Sequence, residues 1–180
     1  MSMLEAGQAI ARTPLGDFRI WVTSQGVARI VRSDAPINAT SPSAERAARE
    51  LEELVAGNRA SLELPIDAHG TEFEQRVWAA LAEIPRGRTE SYSSIAERIG
   101  RPGAARAVGA ACRKNPVPIV VPCHRVVGKS GALTGYALGL SAKEWLLEVE
   151  GARGTTNTRT PAGRVTGPGD EAHWPRPLAD

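Results

Sequence analysis

At 180 residues, 42% of them hydrophobic, the chain is long enough for one globular unit or two small packed ones. No uninterrupted apolar run approaches the roughly 20 residues of a bilayer span, and the N-terminal stretch MSMLEAGQAIARTPLG lacks the basic-then-apolar layout of a secretory signal. A soluble, cytoplasmic protein is therefore expected. Two cysteines occur, Cys112 and Cys123, neither in a CxxC pair nor in a Cys/His cluster of zinc spacing, which argues against a structural metal and for two reduced thiols.

Residues 16–32 read as a β-hairpin: Phe18, Ile20 and Val22 alternate with polar neighbours, Ser24-Gln25-Gly26 turns the chain, and Val27 to Val31 continue it. Ser41-Pro42 offers an N-cap and a first-turn proline, followed by Ala44, Ala47, Ala48, Leu51, Leu54 and Val55 at helical spacing until Gly57. A short strand is expected over Ser61 to Ile66. Thr71 with Glu74 makes a capping box for a helix lined by Phe73, Val77, Leu81 and Ile84 and ended by Pro85. Ser94 with Glu97 would cap a second helix, Ile95 to Ile99, closed at Gly100. A third, Ala104 to Asn115, stops at Pro116. After a glycine-rich loop from Gly128 to Gly139, Ser141 and Glu144 form a capping box for a last helix, with Leu140 and Trp145 at staple positions. These elements give an α/β protein in two parts, an N-terminal small-sheet domain over 1–69 and a mostly helical domain over 70–151. The aperiodic Gly/Thr/Pro/Arg segment over 152–180 is expected to be a disordered tail.

The net charge of +2 hides an asymmetry. Nine of the 22 Lys and Arg residues but only two of the 20 acidic ones fall between Arg86 and Lys129, so the rest of the chain is net acidic. Positive charge thus gathers where a polyanion could use it. The two short helices in that stretch, joined by a glycine-containing turn and carrying Arg106, Arg113 and Lys114, have a helix-turn-helix layout. Ala104, Ala105, Ala107, Gly109, Ala110 and Ala111 give the second helix little bulk, so it could lie close against a sugar-phosphate surface.

A cysteine beside a histidine suggests a thiolate, because an imidazole that takes the thiol proton creates the nucleophile. In a regular strand Cys123 and His124 would face opposite ways, so they cooperate only if the backbone turns, as Pro116, Pro118 and Pro122 suggest. Cys112, in the small-residue helix, reads as packing, as do Trp78 and Trp145.

The ordered string Asn115-Pro116-Val117-Pro118-Ile119-Val120-Val121-Pro122-Cys123-His124-Arg125-Val126-Val127 resembles the active-site signature of the O6-alkylguanine-DNA alkyltransferases, the methylated-DNA–protein-cysteine methyltransferases. The likeness runs from Gly70 to Gly151 through Arg86-Gly87, Ser91-Tyr92, Ala104 to Gly109, Leu133 to Tyr136 and Lys143 to Leu147. Residues before Gly70 match more loosely.

What the resemblance implies is specific. The N-terminal domain would be ribonuclease H-like. Cys123 would accept the alkyl group from O6-alkylguanine in duplex DNA, once and irreversibly, and O4-alkylthymine is left open as a second substrate. His124 would take the thiol proton through a bridging water, Glu150 would orient the imidazole, and Asn115 would brace the turn before the cysteine. Tyr92 would crowd the target phosphate and donate a proton to the departing guanine, while Arg106 fills the gap in the base stack. Ala105, Arg113 and Ser93 complete the DNA-binding set. The base pocket would comprise Pro118, Val126, Tyr136, Ala137, Leu138 and Lys143. Ala137 and Leu138 depart from the serine and glycine of the family pattern, and the bulk of Leu138 would favour methyl over benzyl-sized groups.

The implied partner is double-stranded DNA, held in the minor groove by a monomer with weak sequence preference, cooperativity being left open; no cofactor, metal or membrane is implied. A bacterial or archaeal cytoplasm is the implied setting. Two other readings remain at this point: a module that grips alkylated DNA without repairing it, against which the intact Pro122-Cys123-His124-Arg125 stands, and a thiol hydrolase, which would leave the basic helices without a role.

Overall fold

The structure is a computed structural model that describes residues 4–37 and 39–152. Apart from its first residue, the tail expected from Ala152 onward lies outside the described residues.

A three-stranded antiparallel sheet opens the chain, in the order β1 (Gly7–Thr13), β2 (Gly16–Val22) and β3 (Val27–Arg32). The expected hairpin is β2–β3, and Phe18, Ile20 and Val22 point into the core as their alternation requires. Strand β1 adds a partner not anticipated from the sequence. Its inward positions are Ala9 and Ala11, opposite Ile20 and Phe18, and alanine carries little hydrophobic contrast. Small side chains there let helix α1 (Pro42–Val55) settle onto the sheet with Ala44, Ala47, Leu51 and Val55 buried. The Ser41 hydroxyl accepts the Ala44 N–H at 3.2 Å, the predicted cap.

No strand forms over Ser61 to Ile66. Pro65 has no N–H to give a ladder, and the Glu63 N–H is taken by the Glu50 carboxylate at 2.8 Å. One bridge remains, Val27 to Ile66. Gly26 packs so close behind it that a Cβ would fall 2.2 Å from the Pro65 carbonyl oxygen.

The second half is helical: α2 (Glu72–Ala82), α3 (Tyr92–Arg98), α4 (Ala105–Arg113) and α5 (Leu140–Val149), with a parallel two-residue pair, β4 (Glu90–Ser91) and β5 (Val126–Val127), tying the active-site region to the start of α3. The Thr71–Glu74 capping box forms as predicted. Two caps differ from expectation. Helix α3 is capped by Ser91, three residues before Ser94, because pairing with β5 keeps Glu90 and Ser91 extended and lets the helix begin at Tyr92. Helix α5 is capped by Gly139 at φ 94°, without a side-chain bond, so Ser141 lies inside it and no capping box forms. With the cap at Gly139, Leu140 and Trp145 no longer hold the staple positions, and Leu140 is 43% exposed while Trp145 is buried. Helices α3 and α4 pack against one another across a turn in which Gly100 and Gly103 take positive φ, a helix-turn-helix.

The two halves interlock. The Ile30 N–H of β3 donates to the Pro116 carbonyl at 2.8 Å. The Arg86 guanidinium donates to the carbonyls of Gly57 and Arg59 beyond α1 and of Val149 at the end of α5. No helix among the described residues is long and apolar enough to cross a membrane.

Candidate active site

Between Asn115 and Val126 the chain is too crowded with proline to run as a strand. Ile119 sits at φ 76°, a costly conformation for a β-branched residue, and Cys123–Arg125 form one 3₁₀ turn. That turn brings Cys123, His124 and Arg125 into one buried cluster, the backbone change that cooperation of the first two demanded.

Asn115 fixes the turn. Its Nδ2 donates to the Val121 carbonyl at 2.9 Å and to Cys123 Sγ at 3.3 Å, and its Oδ1 accepts the Val117 N–H at 3.0 Å. Behind the cysteine, His124 is wholly buried. Its Nε2 lies 2.9 Å from Glu150 Oε1, while Nδ1 makes no hydrogen bond to the protein and the Tyr136 ring stands edge-on to the imidazole. Arg125 closes the cluster from the other side: Nη2 and Nε donate to the two Glu150 oxygens at 2.8 and 2.9 Å, and Nη1 donates to the Ile84 carbonyl at 2.6 Å.

Electrostatics follow from burial. Desolvation pushes the Cys123 thiol up, opposed by the Asn115 N–H and the Lys143 charge, so the resting sulfur keeps its proton. Burial pulls His124 below 6.5, partly offset by Glu150 and reinforced by Arg125 and Lys143. Burial alone would raise Glu150, but hydrogen bonds from His124 and Arg125 outweigh it and bring the carboxyl down to about 2. Lys143 is lowered to about 8 by burial, and it donates to the carbonyls of Val126 at 2.5 Å and Thr134 at 2.9 Å.

Cys123 forms part of the wall of a cavity of about 330 Å³ shared by α3, α4 and the loop before α5. Of the residues singled out from the sequence, Tyr92, Ala105, Arg106, Arg113, Tyr136 and Ala137 line it with Cys123. The Tyr92 hydroxyl donates to the Thr134 carbonyl at 3.3 Å across the mouth, and Ser93 turns away to share a hydrogen bond with Ser91. Four expected pocket residues are not on the lining. Pro118 is buried in the strained turn, the Val126 carbonyl is occupied by Lys143, Lys143 acts from behind, and Leu138 packs against the hydrophobic core. Leu138 follows directly on Ala137, which is on the cavity wall.

Other lining residues were not foreseen: Gly109, Cys112, Thr134 and Gly135. Cys112 is therefore a wall residue as well as a packing one. Burial, with a contribution from Cys123, pushes its thiol up to about 12. Arg125 was missed for a different reason. An arginine inside an apolar run is a signal that a carboxylate waits in the core, since guanidinium is almost never buried unpaired. Nothing local says that the carboxylate is 25 residues away.

Known proteins resemble this chain in sequence and in fold. A sequence profile described as "6-O-methylguanine DNA methyltransferase, DNA binding domain" matches residues 72–152, which contain every site residue named above. The methylated-DNA–protein-cysteine methyltransferase of Methanosarcina acetivorans is 53% identical over 106 residues, 59% of this chain and 68% of the relative. The Mycobacterium tuberculosis protein of the same name is 53% identical over 104 residues, 58% of this chain and 63% of that one. A crystal structure of Mycobacterium tuberculosis OGT in complex with DNA superposes with a TM-score of 0.72 at 40% identity, covering 80% of this chain and 92% of that one. The chain belongs to the methylated-DNA–protein-cysteine methyltransferase family. In this methyltransferase the small N-terminal sheet and the helical half with its helix-turn-helix are the family fold, and the structural match extends through both halves.

Proposed function

We propose that Cys123 is the acceptor in the reaction this protein carries out, the direct-reversal transfer of an alkyl group from O6-alkylguanine to a cysteine. The observation that carries the assignment is a buried sulfur on a cavity wall that accepts the Asn115 N–H, with the His124–Glu150 pair behind it.

The thiol is protonated at rest, so a base must act first. His124 Nε2 keeps its proton, directed at Glu150, and Nδ1 receives the thiol proton through one water. The sulfur pair then attacks the alkyl carbon in line with the C–O bond. That bond breaks toward the guanine oxygen, and Tyr92 supplies a proton to the leaving base, later recovered from solvent. The balance is one thiol and one O6-alkylguanine giving one thioether and one guanine. No water attacks the thioether, so each molecule turns over once.

Double-stranded DNA is the partner, and the M. tuberculosis relative forms a complex with DNA. We place α4 in the minor groove as a monomer. Ala105 and Gly109 offer no bulk to a phosphate wall, and the basic residues Arg106 and Arg113 lie at the cavity mouth. A helix of small residues reads little sequence. The lesion is recognised after it rotates into the cavity, at an unstacking cost of a few kcal/mol, with Arg106 occupying its place.

The test is mass spectrometry after mixing the protein with a duplex that carries one O6-methylguanine, beside a Cys123→Ser variant. One methyl per protein on the Cys123 peptide, absent in the variant, is the expected result. Tight binding without an adduct would replace the reading with a lesion-binding module.

A further inference from the structure

We propose that Arg125 is a positioning residue for the transfer: it neutralises Glu150, so that the carboxylate can orient His124 without protonating it. The inference rests on the relay just described and adds to it the group that sets the protonation state of its base.

A carboxylate facing an imidazole inside a protein normally stabilises the imidazolium. Here that would defeat the relay, since a histidine with protons on both nitrogens cannot receive the Cys123 proton. The geometry supplies a remedy. Oε1 of Glu150 is shared between His124 Nε2 at 2.9 Å and Arg125 Nη2 at 2.8 Å, and Oε2 is held by Arg125 Nε at 2.9 Å. The guanidinium therefore grips both carboxylate oxygens, and its remaining arm is anchored on the Ile84 carbonyl after α2. The pair carries no net charge, yet Oε1 still accepts the Nε2–H and so leaves Nδ1 as the acceptor. Arg125 is 7% exposed and His124 is 0% exposed, so water does little to screen either interaction.

The groups around the imidazole act in opposed senses. Cys123 and Arg125 come from its own turn, Glu150 and Lys143 from the C-terminal helix region, and the Tyr136 ring from the preceding loop. Glu150 is the group that favours the imidazolium, while Arg125 and Lys143 oppose it. Arg125 differs from Lys143 in touching the carboxylate directly.

The test is the single-turnover rate of methyl transfer from an O6-methylguanine duplex as a function of pH, for wild type, Arg125→Met, Arg125→Lys and Glu150→Gln. In wild type the rate should fall only at acid pH, where His124 takes up a proton. Arg125→Met leaves Glu150 unbalanced, so the acid limb should move to higher pH by roughly one unit, a tenfold loss of rate within the shifted interval that shrinks as the medium becomes alkaline. Arg125→Lys keeps the charge and loses the fork, so its limb should stay near that of wild type even if the plateau is lower. Glu150→Gln leaves Arg125 unbalanced, and its limb should move to lower pH.

An Arg125→Met profile lowered by one factor at every pH, with its limb unmoved, would overturn the proposal and leave Arg125 a packing residue. Should that variant fail to fold, the Arg125→Met/Glu150→Gln double variant decides the matter: its limb should lie at higher pH than that of Glu150→Gln alone, and an unmoved limb would overturn the proposal. Failure of wild type to form the Cys123 adduct would instead overturn the acceptor assignment, so the two failures are distinct.

Discussion

Asn115 reaches across the 3₁₀ turn to Cys123, its side-chain N–H 3.3 Å from the sulfur, while the same nitrogen holds the Val121 carbonyl and its oxygen holds the Val117 N–H. One side chain thus sets the backbone path before the acceptor and stabilises negative charge on it. Asn115→Ala should leave the buried Val117 N–H unpaired, while the Val121 carbonyl keeps the Cys123 N–H, and destabilise the fold by about 1–3 kcal/mol. It should also slow single-turnover transfer by roughly tenfold or more, the equivalent of about 1.4 kcal/mol at the transition state. Chemical denaturation and quenched-flow transfer from a methylated duplex measure the two losses separately.

Acid should unfold the active-site cluster in two stages. His124 has a folded pKa below 6.5, so the unfolded chain binds that proton first, and the stability present above 6.5 is lost as pH falls through the folded value. Glu150 titrates at about 2 when folded against 4.5 ordinarily, so its contribution is present above 4.5 and is lost between 4.5 and 2. Urea midpoints measured from pH 7 to pH 3 should decline throughout, and Glu150→Gln should flatten the part below pH 4.5.

Arg113, exposed at the rim of the cavity, should act on DNA through charge. Arg113→Gln should weaken binding to methylated and unmethylated duplexes alike and lower the slope of log K against log salt by about one. A loss confined to the methylated duplex would show instead that Arg113 reads the lesion.

Cys112 should remain unalkylated although it faces the same cavity. A thiol titrating at about 12 supplies almost no thiolate at neutral pH, and no base is paired with it. In the Cys123→Ser variant, mass spectrometry after prolonged incubation with the methylated duplex should find no methyl on the Cys112 peptide.

Much of this arrangement is legible in the chain because it is written locally. Ser41-Pro42 and Thr71-Glu74 announce their helices, since a cap is a contact over three residues. Where a distant partner decides, local signs mislead. Ser94 is as good a cap as Ser91 until β5 pulls Glu90 and Ser91 into an extended pair. Alanine-lined β1 shows its register only against Phe18 and Ile20. The active-site residues were marked by a resemblance and not by periodicity, and even that did not reveal Arg125 as the partner of Glu150 or Cys112 as a wall of the cavity.

Arg86 bridges carbonyls at the ends of α1 and α5, and β3 is bonded to the loop that precedes the acceptor. Arg86→Met should therefore cost about 2 kcal/mol, a fall of roughly 4–8 °C in Tm, with both halves melting together.

The bond from Ile30 to Pro116 has a consequence for how such a protein can be taken apart. The point near Gly70 where a reader of the chain would cut is not a mechanical seam, because the sheet edge on one side serves as scaffolding for the turn on the other. A fragment beginning there would inherit all the chemistry and lose a support beneath it. Grafting the catalytic half onto another carrier would gain from a new neighbour that presented an edge N–H to the Pro116 carbonyl.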